Sequence, residues 1–147
     1  WRSWYSGPHK KADDLYHTLI FSALRHERYP LVIQLDNFVN HLGLGKDARL
    51  VSWVNHAIAL REMNQKTEVQ QIIGLLKRSR PNWKIKIAIA TLSDDDVNTR
   101  LLLKRASEQN KLHNISKDWP LFKPLYGLAW FENAFKLEQN PPRRKKR

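Results

Sequence analysis

The stretch Trp83-Lys84-Ile85-Lys86-Ile87-Ala88-Ile89-Ala90-Thr91-Leu92 decides the fold. Trp83 and the isoleucines at 85, 87 and 89 alternate with Lys84, Lys86, Ala88 and Ala90, the period-two pattern of a half-buried strand with isoleucines inward and lysines outward. Its β-branched content also favours extended backbone. Taken as a strand near residues 84–92, it makes the chain a compact α/β domain. Taken as a helix, it opens a third helical hairpin and makes the chain mainly α, built of antiparallel helix pairs. The mainly α reading is the expectation carried forward, and the strand is the alternative that local chemistry supports.

Toward the N-terminus the patterning is helical. Asp13 and Asp14 stand at a helix start, with Leu15, Leu19, Ile20, Ala23 and Leu24 as its apolar stripe over residues 13–28. Pro30 marks its exit and the entrance to another element. Leu31, Leu35, Phe38, Val39 and Leu42 continue at helical spacing until Gly43 and Gly45 permit a reversal. Asp47 is placed to cap the next helix, which carries Leu50, Trp53, Val54, Ala57, Ile58 and Leu60. Thr67 is placed to cap a further one with Val69, Ile72, Ile73 and Leu76, closed by Pro81. Toward the C-terminus, Ser93 and Asp94 to Asp96 start a helix with Val97, Leu101, Leu102 and Ala106 on its buried side. Lys111 to Pro124 breaks the pattern as turns or a strap, and Leu125 to Leu137 permits a last helix ended by Pro141-Pro142. The expected organisation is an aromatic strap over residues 1–12, a single domain over 13–140 and a basic flexible tail over 141–147.

The interval Leu50 to Pro81 resembles a tetratricopeptide repeat, on Trp53 and Ala57 in its first helix, Val69, Ile73 and Leu76 in its second, and Pro81 at its exit. The family prefers an aromatic residue where Leu60 stands and small residues at Val69 and Leu76. A second comparison covers Leu19, Ala23, Leu35 and Val39. The resemblance implies stacked helix pairs, each burying a stripe that a lone pair leaves open, and a concave surface that binds an extended protein segment.

Composition narrows the function. With 147 residues, 41% hydrophobic content and six tryptophans, one substantial core is within reach. The absence of cysteine removes disulfides, thiolate metal sites and cysteine nucleophiles, and fits a reducing compartment, the cytoplasm or, in a eukaryote, the nucleus. No apolar run is long enough to span a membrane. Beginning at Trp1, the chain reads as a domain of a longer protein whose neighbours could carry an activity. The formal net charge is +12, and +7 without Arg143, Arg144, Lys145, Lys146 and Arg147, so the partner expected is an acidic protein segment or nucleic acid.

The candidate binding residues follow from that charge. Lys77, Arg78 and Arg80 precede Pro81, and Trp83, Lys84 and Lys86 follow it, so cationic heads could hold phosphates while Trp83 stacks on a base or packs beneath the loop. Lys104 and Arg105 join this surface if folding brings them near. Arg143 to Arg147 form a further polyanion-binding, address or solubilising run. No His-Glu-x-x-His site, phosphate loop or dinucleotide fingerprint is present, so neither a metal nor a cofactor is expected. His56 reads as a hydrogen-bonded packing residue. Asp94 to Asp96 read as an acidic helix start, with magnesium binding near phosphate as the enzymatic alternative. The leading expectation is a noncatalytic interaction domain binding protein or peptide through paired helices. The alternatives are nucleic-acid binding by a basic face and a metal-dependent phosphate-processing enzyme or enzyme fragment, so enzymatic activity stays open.

Overall fold

The computed structural model describes residues 10–39 and 44–139, and within it Trp83–Leu92 is an α-helix. No strand occurs among the described residues, which overturns the α/β alternative; the protein is mainly α, made of packed helix pairs. The reason is burial on several sides at once. Ile85, Ile87, Ala88, Ala90, Thr91 and Leu92 are all buried, so the alternation of isoleucine with alanine is a pattern of size rather than of exposure. A helix apolar nearly all round belongs in a core. Each β-branched residue costs a helix up to about 0.7 kcal/mol relative to alanine. Each fully buried isoleucine contributes about 1.5–3 kcal/mol, so packing outweighs propensity. The Asn82 side chain also caps the helix, accepting from the backbone N–H groups of Lys84 and Ile85 at 3.1 Å each.

The helices in order are α1 (Lys10–Arg25), α2 (Tyr29–Val39), α3 (Lys46–Glu62), α4 (Lys66–Arg78), α5 (Trp83–Leu92), α6 (Asp96–Glu108) and α7 (Ala129–Gln139). Short 3₁₀ segments at Leu112–Asn114 and Pro120–Leu125 lie between α6 and α7. Helix α3 is the hub, packing on α1, α2, α4, α5 and the second 3₁₀ segment. Helix α5 packs on α3, α4, α6 and that same segment, while α7 packs on α6.

Three helix pairs turn by one device. After α1, α3 and α5 the chain passes through a left-handed residue, Glu27 (φ 57°), Asn64 (φ 59°) and Asp94 (φ 55°), at intervals of 37 and 30 residues. In each turn the N–H of that residue and of the next reach back to two carbonyls of the helix, as in Asn64 to Arg61 and Gln65 to Leu60, which is the Schellman closure. Aligned on these turns, the pairs repeat. Tyr16, Trp53 and Trp83 each stand eleven residues ahead of the turn residue. On the second helices the buried positions are Val32, Asp36 and Val39, then Val69, Ile73 and Leu76, then Thr99, Leu103 and Ala106, always five, nine and twelve residues beyond it.

Several expected boundaries move. Pro30 is the second residue of α2, where a missing N–H is harmless, so it stands at the expected entrance, while α1 has already ended at Arg25. Asp47 and Thr67 lie inside helices that begin after Gly45 and Gln65, and neither of these caps with a side chain. Asp95 does cap α6, accepting from the Asn98 N–H at 3.0 Å. Of the expected strap, Lys10–Ala12 belong to α1 and residues 1–9 lie outside the described residues, as does the tail 141–147.

Candidate functional site: a basic end of the helix stack

Topology gathers the cations. Each pair reverses at its left-handed turn, so the second helix ends beside the point where the first began. Lys77 and Arg78 occupy the last turn of α4, Arg80 is left-handed (φ 54°) in the link that follows, and Trp83, Lys84 and Lys86 open α5. Lys104 and Arg105 lie near the end of α6, which runs back to that same end of the α5–α6 pair. The electrostatic influence of Asp47 on Lys84 brings the start of α3 to this end as well. The sequence reading therefore missed Lys46 and Arg49, exposed at the start of α3. No local spacing marks them, since the turns of the α3 and α5 pairs are 30 residues apart and Lys46 and Arg49 reach this end only because α3 starts further ahead of its turn than α5 does.

Lys77, Arg78, Arg80, Lys86 and Arg105 are exposed and form no ion pair with another described residue. Lys104 makes one loose pair with Glu108 at 4.0 Å. Lys77 and Arg78 suit the carbonyl end of α4. Lys84 and Lys86 do not suit the amino end of α5, where the first turn has no acidic residue and the backbone already carries positive potential. A helix start and two lysines together form a region that favours an anion. Lys84 Nζ lies 5.4 Å from the Trp83 ring centre, and burial pulls its pKa down from 10.5 to about 8, with Asp47 opposing that shift. Trp83 is half-buried and packs on the core, so packing accounts for much of this ring. Arg143, Arg144, Lys145, Lys146 and Arg147 lie outside the described residues.

The second 3₁₀ segment lies over two of the helices. The stretch from Trp119 to Leu125 packs across α3 and α5, with Trp119, Leu121, Phe122 and Leu125 buried, while Leu112–Asn114 packs on α6 and α7. Trp119 Nε1 donates to Asn55 Oδ1 at 3.0 Å, and Arg61 donates to the carbonyls of Leu121 (3.0 Å) and Pro120 (2.9 Å). Phe122 then meets Phe131 at a tilt and Phe135 edge to face, and Phe131 and Phe135 also pack edge to face. Lys123 ties the segment to Glu27 and Glu62. Although partial desolvation acts to lower the Lys123 pKa, those carboxylates hold it above its ordinary value.

A second polar cluster joins α1, α2 and α3. The Tyr16 hydroxyl donates to Ser52 Oγ (2.9 Å) and lies 3.5 Å from Asp36 Oδ1, while His56 Nδ1 donates to Asp36 Oδ2 (2.6 Å). Burial raises the Tyr16 pKa. Asp36 is 1% exposed and occupies the repeat position held by Ile73 and Leu103 in the other pairs. A buried carboxylate must be paired to be tolerated, and His56 and Tyr16 supply that pairing. The cluster therefore pins the first pair to the hub, in keeping with the packing role read for His56.

Asp94 to Asp96 divide into a left-handed turn residue, the α6 cap and the first residue of α6. Among the described residues no three histidine or acidic side chains converge as a metal site. No helix of the described residues is long and apolar enough to cross a membrane. No family model, curated protein or solved structure matches the chain.

Proposed function

We propose that the protein is a helical interaction module whose basic end binds a polyanion, with nucleic acid as the partner. The observation that carries this reading is the gathering of Lys77, Arg78, Arg80, Lys86 and Arg105 at one end of the stack without carboxylate partners among the described residues. Cations left unpaired at a helix-stack end repel one another and are stabilised when phosphates enter. The recurring turn and burial register support a tetratricopeptide-like stack. The stretch Trp119 to Leu125 packs over α3 and α5, and a face covered in this way supports charge-based binding at the basic end over peptide capture there. Lys84, half-buried against Trp83, adds a cation whose desolvation an incoming phosphate would offset.

The test is a salt series of binding to single- and double-stranded RNA and DNA by fluorescence anisotropy. It compares the intact chain, a chain ending at Pro142, and the intact chain with Lys77, Arg78, Arg80 and Lys86 changed to glutamine. The expected outcome is that affinity falls with salt, survives loss of the tail, and drops at least tenfold in the quadruple variant, with a salt slope shallower by roughly 0.7–0.9 per lost phosphate contact. Binding that vanishes with the tail and ignores the quadruple variant would overturn the proposal. Polyglutamate serves as the acidic-protein control. If it binds as tightly as nucleic acid at equal salt, the partner is an acidic protein segment instead.

A further inference from the structure

Alignment of the pairs on their left-handed turns exposes a mismatch at the start of the stack. Leu15 and Leu19 of α1 are the register equivalents of Ser52 and His56 of α3, each 37 residues on. Ser52 is fully buried, His56 is half-buried, and the two face the α1–α2 pair, one taking the Tyr16 hydroxyl and the other donating to Asp36 of α2. In the hub this side of the helix is where the preceding pair docks. In α1 the same side carries leucines and is bare, with Leu15 at 61% and Leu19 at 48% exposure. Helix α2 leaves two more apolar side chains in view, Leu31 at 40% and Phe38 at 61% exposure, on either side of Leu35, which is half-buried against the core. At the other end of the stack, α7 covers α6.

We infer that this apolar side of the first pair is a dimer contact, in which α1 of each copy receives α2 of the other about a two-fold axis. A bare α1 side and the two apolar side chains on α2 are the two halves of a self-complementary patch, which a two-fold operator brings together twice. With Phe38 inside the range of roughly 150–250 Å² for an aromatic side chain and the three leucines near or below its lower end, the four exposed residues offer roughly 300–400 Å² per copy. Two copies together supply most of the apolar part of an interface of about 1,200 Å², the lower end of the stable range. Continuity with the existing contact of α2 on α3 supplies the geometry, helix against helix at the spacing that the stack already uses.

The decisive experiment uses the complete chain. Sedimentation equilibrium over a wide concentration range is expected to give a reversible dimer, with Leu19→Glu and Phe38→Glu each raising the dissociation constant at least tenfold. Circular dichroism should stay unchanged, and so should melting at concentrations where wild type is monomeric, because both positions are exposed in one copy. The chain has no cysteine, so an equimolar mixture of Leu19→Cys and Phe38→Cys proteins gives a clean second readout. Mild oxidation should form the mixed 19-to-38 disulfide well above its random share. A wild-type chain that stays monomeric overturns the inference, whether residues 1–9 or another protein's helix covers the side. So does a dimer that both glutamate variants leave intact.

Discussion

At Lys84 a single side chain carries a stability cost and a binding role together. Burial lowers its pKa from 10.5 to about 8, so the folded protein releases this proton near pH 8 and the unfolded chain only near 10.5. Between those values the unfolded state holds more protons, and stability rises with pH; below pH 8 the charged lysine penalises folding by a constant amount. The variant Lys84→Met should therefore melt higher than wild type at pH 7, with the gap closing as pH climbs past 8, while its nucleic-acid affinity falls. Melts recorded at pH 7 and pH 9.5 check this. A gap that widens with pH would contradict the assigned burial. The lysine cluster was legible in the sequence because Lys77 to Lys86 are close along the chain. Lys46, Arg49, Lys104 and Arg105 were harder to place, since their adjacency comes from helices reversing at turns rather than from spacing.

For the helices, the sequence announced the pairs but misread the member at Trp83–Leu92. Its alternation was real, yet burial among α3, α4 and α6 left no polar side to distinguish a helix from a strand. Only the Asn82 cap and the exit at Asp94 marked a helix locally, and both depend on backbone conformation. The turns are more revealing than the stripes. Glu27, Asn64 and Asp94 all hold positive φ, a conformation that suits glycine and asparagine and strains glutamate. Glu27 also pairs with Lys123 at 3.3 Å across exposed surface, a contact worth little. Glu27→Gly should thus stabilise the protein by up to about 1 kcal/mol, whereas Asn64→Gly should change it less. Urea unfolding of both variants tests the ranking.

In the molecule as a whole, the repeat register explains why one carboxylate is buried and one helix side is bare. Asp36 fills a position that is apolar in its siblings, and Leu15 and Leu19 are apolar where the hub is polar. The first pair is thus the odd member of the three, with its polar contacts turned toward α3 and its apolar ones outward. The crossing segment is what a pair-by-pair reading cannot anticipate, because its contacts join residues 59 to 64 positions apart. That separation has a consequence in time. At a synthesis rate of about 5–20 residues per second, Asn55 and Arg61 leave the ribosome several seconds before Trp119 and Leu121 exist to meet them. During that interval the apolar side of α3 and α5 stands open. A chain stopped at Lys111 should keep helical circular dichroism, bind a hydrophobic dye strongly and aggregate, and adding Leu112 to Gln139 as a separate peptide should suppress the dye signal. Newly made copies of this protein thus pass through an adhesive phase that ends only when the last quarter of the chain arrives to close it.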